Sequence, residues 1–238
     1  MRRAAVLLRV FLALLLVICL IAYLAGSLAS LAVDSDRMLQ KMNSYSNTLL
    51  SGVRAQEYAA LASSLTEYLN GKADTPQIQV IKHGESAPAF SQKEILHLED
   101  IRGLIALANS LRYTALGLAA IAIIAFFIIR RTASPEFIGL INPQKAFSLS
   151  LFIFFGAALI LAVWGWVDFH SLFYAFHRVL FRNDLWLLDA GQDLLLQLMP
   201  EGFFVSYALD LMKNSALIFL SLPLAAYALH RAGKEAAA

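Results

Sequence analysis

The sequence predicts an all-α membrane protein: four transmembrane helices, amphipathic helices at the interface, and a small, mainly helical loop domain outside the cytoplasm. Three observations predict it. Hydrophobic residues make up 59% of the chain against 15% charged, and the mean hydropathy is +0.65, a balance far from that of a water-soluble domain. Apolar runs of membrane length occur at four places. The segments between them place their apolar residues mostly at helical rather than alternating spacing.

The first span is expected over residues 1–33, with Arg2, Arg3 and Arg9 flanking and entering it. Its apolar core exceeds the roughly 7 to 15 residues of a secretory signal, so it reads as an uncleaved helix. The second occupies residues 111–131 and ends on Arg130 and Arg131, and the third occupies residues 147–167. The fourth, residues 209–230, is interrupted on its approach by Asp210 and Lys213 and is followed by Arg231 and Lys234. Residues 34–110, 132–146, 168–208 and 231–238 are then the two long loops, a short loop and a tail.

Charge orients these spans, because lysine and arginine accumulate in short cytoplasmic segments. Of 19 basic and 17 acidic residues, the amino-terminal end, residues 132–146 with the arginines before them, and the tail hold eight basic and two acidic. Eleven basic and fifteen acidic residues remain for the opposite, extracytoplasmic side, which carries residues 34–110 and 168–208. A net charge of +2 with scattered basic residues excludes a nucleic-acid partner, and Cys19, the single cysteine, excludes an intrachain disulfide.

The first long loop is expected to open with a helix through Asn70, turn over residues 71–76, and form a short strand at 77–82. A helix then starts firmly: Ser91 and Glu94 have capping-box spacing, and Phe90 with Ile95 supplies a hydrophobic staple. It places His97, Asp100 and Ile101 on one face, continues into an apolar stretch, and is expected to lie along the interface before bending into the second span.

In the second long loop, Phe173, Phe176, His177, Leu180 and Phe181 share one helical face, with Arg178 and Arg182 turned away. The helix is expected to break near Asn183. Another should begin at Asp189, with Gln192 reaching back, and end at Pro200.

Several chemistries lack their residues. The chain has no nucleophile elbow, zinc-protease helix, Walker loop or dinucleotide glycine motif. No histidine is followed by aspartate at H-x-x-x-x-D spacing. Glu94 and His97 form one E-x-x-H pair where a bundle di-metal site needs two, so neither a metal nor another cofactor is expected. What remains is histidine beside aromatic residues at a membrane surface. A lone histidine on an apolar face is more often structural than catalytic, His170 reads as a surface residue or substrate contact, and Trp164, Trp166 and Trp186 suit interfacial anchoring. Arg112, toward the outer end of the second span, suits either a lipid phosphate or snorkelling.

Two blocks sharpen this reading. The run F-H-x-x-L-F-x-N-D-x-W-x-L-D-x-x-x-D from Phe176 to Asp193, followed by P-E-x-F-F at Pro200 to Phe204, resembles the bacterial lipoprotein intramolecular transacylases. So does E-x-x-H-L-x-D-I from Glu94 to Ile101, where the family usually has Met and Val at the positions of Leu98 and Ile101. Ala190 stands where the family tends to have proline. The blocks cover about a fifth of the chain, and the rest agrees in topology.

The resemblance implies an enzyme without cofactor that moves the sn-2 acyl chain of a diacylglyceryl-cysteine lipoprotein to the α-amino group of that cysteine, leaving an N-acyl lyso form. It assigns catalysis to His97 and His177, with His177 expected as base and His97 as oxyanion donor. Asp100 is expected to orient His97, Asn183 and Asp184 to position His177 or the headgroup, and Trp186 and Arg112 to complete the substrate-positioning set. The expected partners are diacylglyceryl lipoproteins and membrane lipids, and the expected location is the bacterial inner membrane with the site facing outward. The competing readings are a non-catalytic sensor or interaction protein, disfavoured by the short cytoplasmic segments, and a different membrane lipid acyltransferase.

Overall fold

A computed structural model describes residues 2–46, 48–132 and 143–213. Three helices carry the apolar runs: α1 (Arg2–Ala32), α5 (Gln92–Thr132) and α6 (Pro143–Val167). Each is long and apolar enough to cross a membrane. Their outward residues are those hydrocarbon accepts and water does not, among them Phe11, Ile21, Ile121, Ile124, Phe152 and Ile160, all more than half exposed. α1 packs along both α5 and α6. Gly26 permits the close approach to α5, since a Cβ there would stand 2.5 Å from Cβ of Arg112. The fourth expected span lies outside the described residues beyond 213.

Between α1 and α5 the chain forms α2 (Ser35–Tyr45), α3 (Thr48–Ser51), a 3-10 turn (Ala55–Glu57) and α4 (Tyr58–Leu69). The single helix expected up to Asn70 is therefore interrupted. Gly52 ends its first part with φ 63°, and its carbonyl accepts the His83 N–H at 2.9 Å. β1 (Gln79–Lys82) pairs antiparallel with β2 (Glu85–Pro88), Lys82 opposite Glu85. The link, His83 and Gly84 at φ 53° and 91°, has the left-handed pair of a tight hairpin.

After α6 come α7 (Phe169–Leu180), α8 (Leu194–Leu198) and α9, helical over residues 201–213. Asp168 caps α7 by accepting the Ser171 N–H at 2.9 Å. The helix ends at Leu180, three residues before the expected break, because Phe181 is extended. Asp189 does not begin the next helix: its side chain accepts the Gly191 N–H in a turn, while Asp193 takes the cap position and accepts the Asp189 N–H, so α8 starts at Leu194.

Met38 and Met42 of α2, Leu61 and Leu65 of α4, Leu98 of α5, Leu194 and Leu198 of α8, and Phe203 of α9 share one buried cluster. It ties the two long loops together. Truncating a residue such as Leu98 to alanine would cost about 2–5 kcal/mol. At its edge, Asp210 of α9 pairs with Lys41 at 2.8 Å and Arg37 at 3.2 Å, both on α2. The acid that interrupts the fourth apolar run thus has a role: it fastens α9 to the loop domain.

Candidate active site

α5 begins where the sequence places it. The Ser91 N–H donates to Glu94 Oε2 at 2.7 Å and the Glu94 N–H to Ser91 Oγ at 3.3 Å, so the capping box is closed in both directions. Gln77 steadies the entry, taking the Phe90 N–H at 2.9 Å and donating to the Phe90 carbonyl at 2.6 Å. The helix runs on without interruption for 41 residues.

Three ties join the first turns of α5 to the chain after α7. Lys93 donates to the Leu187 carbonyl. Glu94 Oε1 accepts the Leu195 N–H at 2.6 Å. Asn183 Nδ2 donates to Asp100 Oδ2 at 2.9 Å. The Glu94 bond was not legible as more than a helix cap. With 2% exposure and both oxygens engaged by N–H groups, this carboxylate holds two distant segments at once.

His97 lies between these ties and is buried, 4% exposed. His177, near the end of α7, is 8% exposed, and the two ring centroids stand 6.2 Å apart. The two blocks, whose histidines the resemblance assigns to one reaction, meet in space. Phe181 touches both, at 5.1 Å from His97 and 5.5 Å from His177, and nothing in the helical pattern singled it out from its neighbours. The rings of Phe173 (4.2 Å), Trp186 (5.1 Å) and Phe176 (5.6 Å) complete an aromatic box around His177. The expected stripe on α7 is narrower than its sequence: Phe173, His177 and Phe181 turn inward, whereas Phe176 and Leu180 remain exposed.

Burial in this box lowers the pKa of His177 from its ordinary value of 6.5, and the bond to the Phe173 carbonyl opposes the shift. In the neutral ring, Nδ1 donates to that carbonyl at 2.7 Å. The lone pair is therefore on Nε2. His97 has no such anchor. Its Nδ1 is buried without a hydrogen-bond partner. Asp100, expected to orient it, has no hydrogen bond to it and instead accepts from Asn183.

The other expected residues divide. Trp186 stands in the box, and Asp184 lines an open groove of about 370 Å³ with Tyr174, Arg178 and Trp186. A second groove of about 400 Å³ shares Phe181, Arg182 and Asn183 with the first and runs along α5 past Gly103 and Leu107. Arg112 is elsewhere, fifteen residues from His97 on the same helix, ~22 Å along the axis. It donates to Ser30 Oγ at 2.7 Å and the Gly26 carbonyl at 3.3 Å, and so bridges α5 to α1. Among the described residues, no three of histidine, cysteine, aspartate and glutamate converge as metal ligands would.

The arrangement offers a proton acceptor of fixed tautomer beside an imidazole with an unused nitrogen, at the edge of a membrane-spanning helix. A chain with 19% identity, the membrane-integral lipoprotein intramolecular transacylase Lit from Bacillus cereus, has this fold with a TM-score of 0.56, covering 93% of this chain and 94% of that one. Another structure of that protein, carrying a histidine-to-alanine substitution, superposes with a TM-score of 0.57 at 19% identity, covering 89% and 90%. No curated protein matches the sequence. Residues 10–204 match the family described as lipoprotein intramolecular transacylase Lit, so the chain belongs to that family of membrane acyltransferases, whose reaction is intramolecular lipoprotein transacylation.

Proposed function

We propose that His97 and His177 act together on a diacylglyceryl-cysteine lipoprotein, transferring its sn-2 acyl chain to the cysteine α-amine. The observation that carries this is the pair itself: two buried imidazoles 6.2 Å apart, one with its tautomer set by a backbone carbonyl. The free amine attacks the sn-2 carbonyl. Its nitrogen forms the new C–N bond as the C–O bond to glycerol breaks, and the proton it sheds passes through His177 Nε2 to the departing glyceryl oxygen. An ester becomes an amide, and no other reactant is needed.

His97 is the donor to the tetrahedral oxyanion. Its Nδ1 is buried without a partner, and in the tautomer that carries the proton there a developing negative oxygen supplies the missing acceptor, relieving a cost of about 1–3 kcal/mol. Asn183 positions the donor by tying Asp100, three residues after His97, to the segment that follows α7. Asp184 and Trp186 line the approach for the lipoprotein. The charge distribution supports four spans in the bacterial inner membrane, with this site on the extracytoplasmic side among membrane lipids, its substrate a lipoprotein rather than a nucleic acid.

The test is mass spectrometry of a co-expressed lipoprotein. Wild type is expected to give the N-acyl lyso form, and His97→Ala or His177→Ala to lower it by about 10²–10⁴ at matched levels of inserted protein. The double variant should lose little more than either single one, as for two groups sharing one transition state. Abundant product from either single variant would defeat the assignment.

A further inference from the structure

The second groove has a feature that neither packing nor backbone geometry explains. Gly103 lies in the interior of α5, where glycine is less favourable than alanine because it fixes more backbone freedom. Its φ is not left-handed. Among the described residues, and apart from its chain neighbours and the backbone of its own helix turns, no heavy atom lies within 4 Å of where its Cβ would stand, so no packed neighbour requires the missing side chain either. The contrast with Gly26 is direct, since there the second helix fills the space.

What the missing side chain does leave is room in the groove. Glu99 and Asp100 line its polar end; Leu104 and Leu107 of α5 with Leu180 of α7 line its apolar part, and Gly103 lies between. Leu107 and Leu180 are both exposed. Phe181 closes the wall and touches both imidazoles. Polarity thus falls in one direction along α5, from the Glu99 and Asp100 carboxylates to leucines on a helix that continues as an apolar span. A volume of about 400 Å³ is within the usual range of ligand sites.

We infer that this groove receives the acyl chain being transferred, with its ester at the Phe181 end and its methylenes running past Gly103 toward Leu107, and that Gly103 is a specificity-determining residue. The inference rests on the transacylase reading above. A chain in this position is paid for by apolar burial against leucine, at about 0.8 kcal/mol per buried CH₂. The acidic end suits the ammonium form of the same cysteine, which is held there until it loses its proton.

The experiment uses the full-length protein in detergent or vesicles with two synthetic diacylglyceryl-cysteine peptides, one with a hexadecanoyl and one with a butanoyl chain at sn-2. Gly103→Leu is expected to lower transfer of the long chain by about tenfold or more and leave the short chain within about threefold. Gly117→Leu is the control, because Gly117 is another α5 glycine whose Cβ position has no described atom within 4 Å outside its chain neighbours and own helix backbone, and it should alter neither. Thermal unfolding separates misfolding from occlusion: Gly103→Ala should melt no lower than wild type. Equal loss of both chains in a folded Gly103→Leu protein, or no loss of either, overturns the acyl-chain site. Failure of wild type to convert either peptide would instead overturn the transacylase reading.

Discussion

His170 and His177 lie seven residues apart on α7 and differ in every physical respect that matters. His170 is open to solvent, its side chain 70% exposed, and its Nδ1 bonds to Glu201; that hydrogen bond and the charge of the carboxylate raise its pKa above 6.5. His177 is enclosed by aromatic rings and held by a backbone carbonyl, and burial lowers its pKa. One favours imidazolium and the other the neutral base. Residue type and helix are shared, so the role comes from what the rest of the chain places around each ring.

The strongest way to break the contrast is to release the segment that follows α7. Glu94→Ala removes the acceptor of both the Ser91 and Leu195 N–H groups and leaves them buried or without their partner. The expected result is a loss of about 2–5 kcal/mol in unfolding free energy together with a large fall in transfer, measured by thermal unfolding and product mass spectrometry. Glu94→Gln keeps one carbonyl oxygen, so it should restore part of both. A Glu94→Ala protein with normal melting and turnover would show that the tie does not hold the site.

The pH profile sharpens the contrast more gently. A lowered pKa means that His177 remains an acceptor below pH 6.5, so the acid limb assigned to it in kcat/KM should fall below that value. A second rise near pH ~8 is expected from the substrate amine, which attacks only as the free base. An acid limb above pH 6.5 that vanishes in His170→Ala would reverse the assignment of the two histidines.

The smallest effect is expected at the exposed pair. Glu201→Gln removes the partner that raises the His170 pKa, and NMR titration should show the His170 transition moving down toward 6.5. Turnover should stay within about threefold, as surface ion pairs hold little free energy. A tenfold loss would mean that His170 contacts the substrate.

What was legible in the residues was local. Three of the membrane-length apolar runs, the Ser91–Glu94 box that opens α5 and the one-sided placement of His177 depend on spacing within a few residues, and the described residues have each of them. The resemblance of two blocks assigns His97 and His177 to one reaction, and the rings do meet. The boundaries that failed were also local but ambiguous. Asp189 and Asp193 are both residues that cap helices, and α8 starts after the second, where Leu194 and Leu198 pack into the core.

Other features could be decided only by the tertiary structure. Glu94 reaches Leu195 across 101 positions, and Asp100 is claimed by Asn183 rather than by His97. Arg112 finds acceptors on α1. A side chain's period and capping power are intrinsic to its sequence neighbourhood, whereas the choice among several acceptors, and the burial that sets a histidine's charge, depend on which distant surfaces the folded chain brings within about 3 Å.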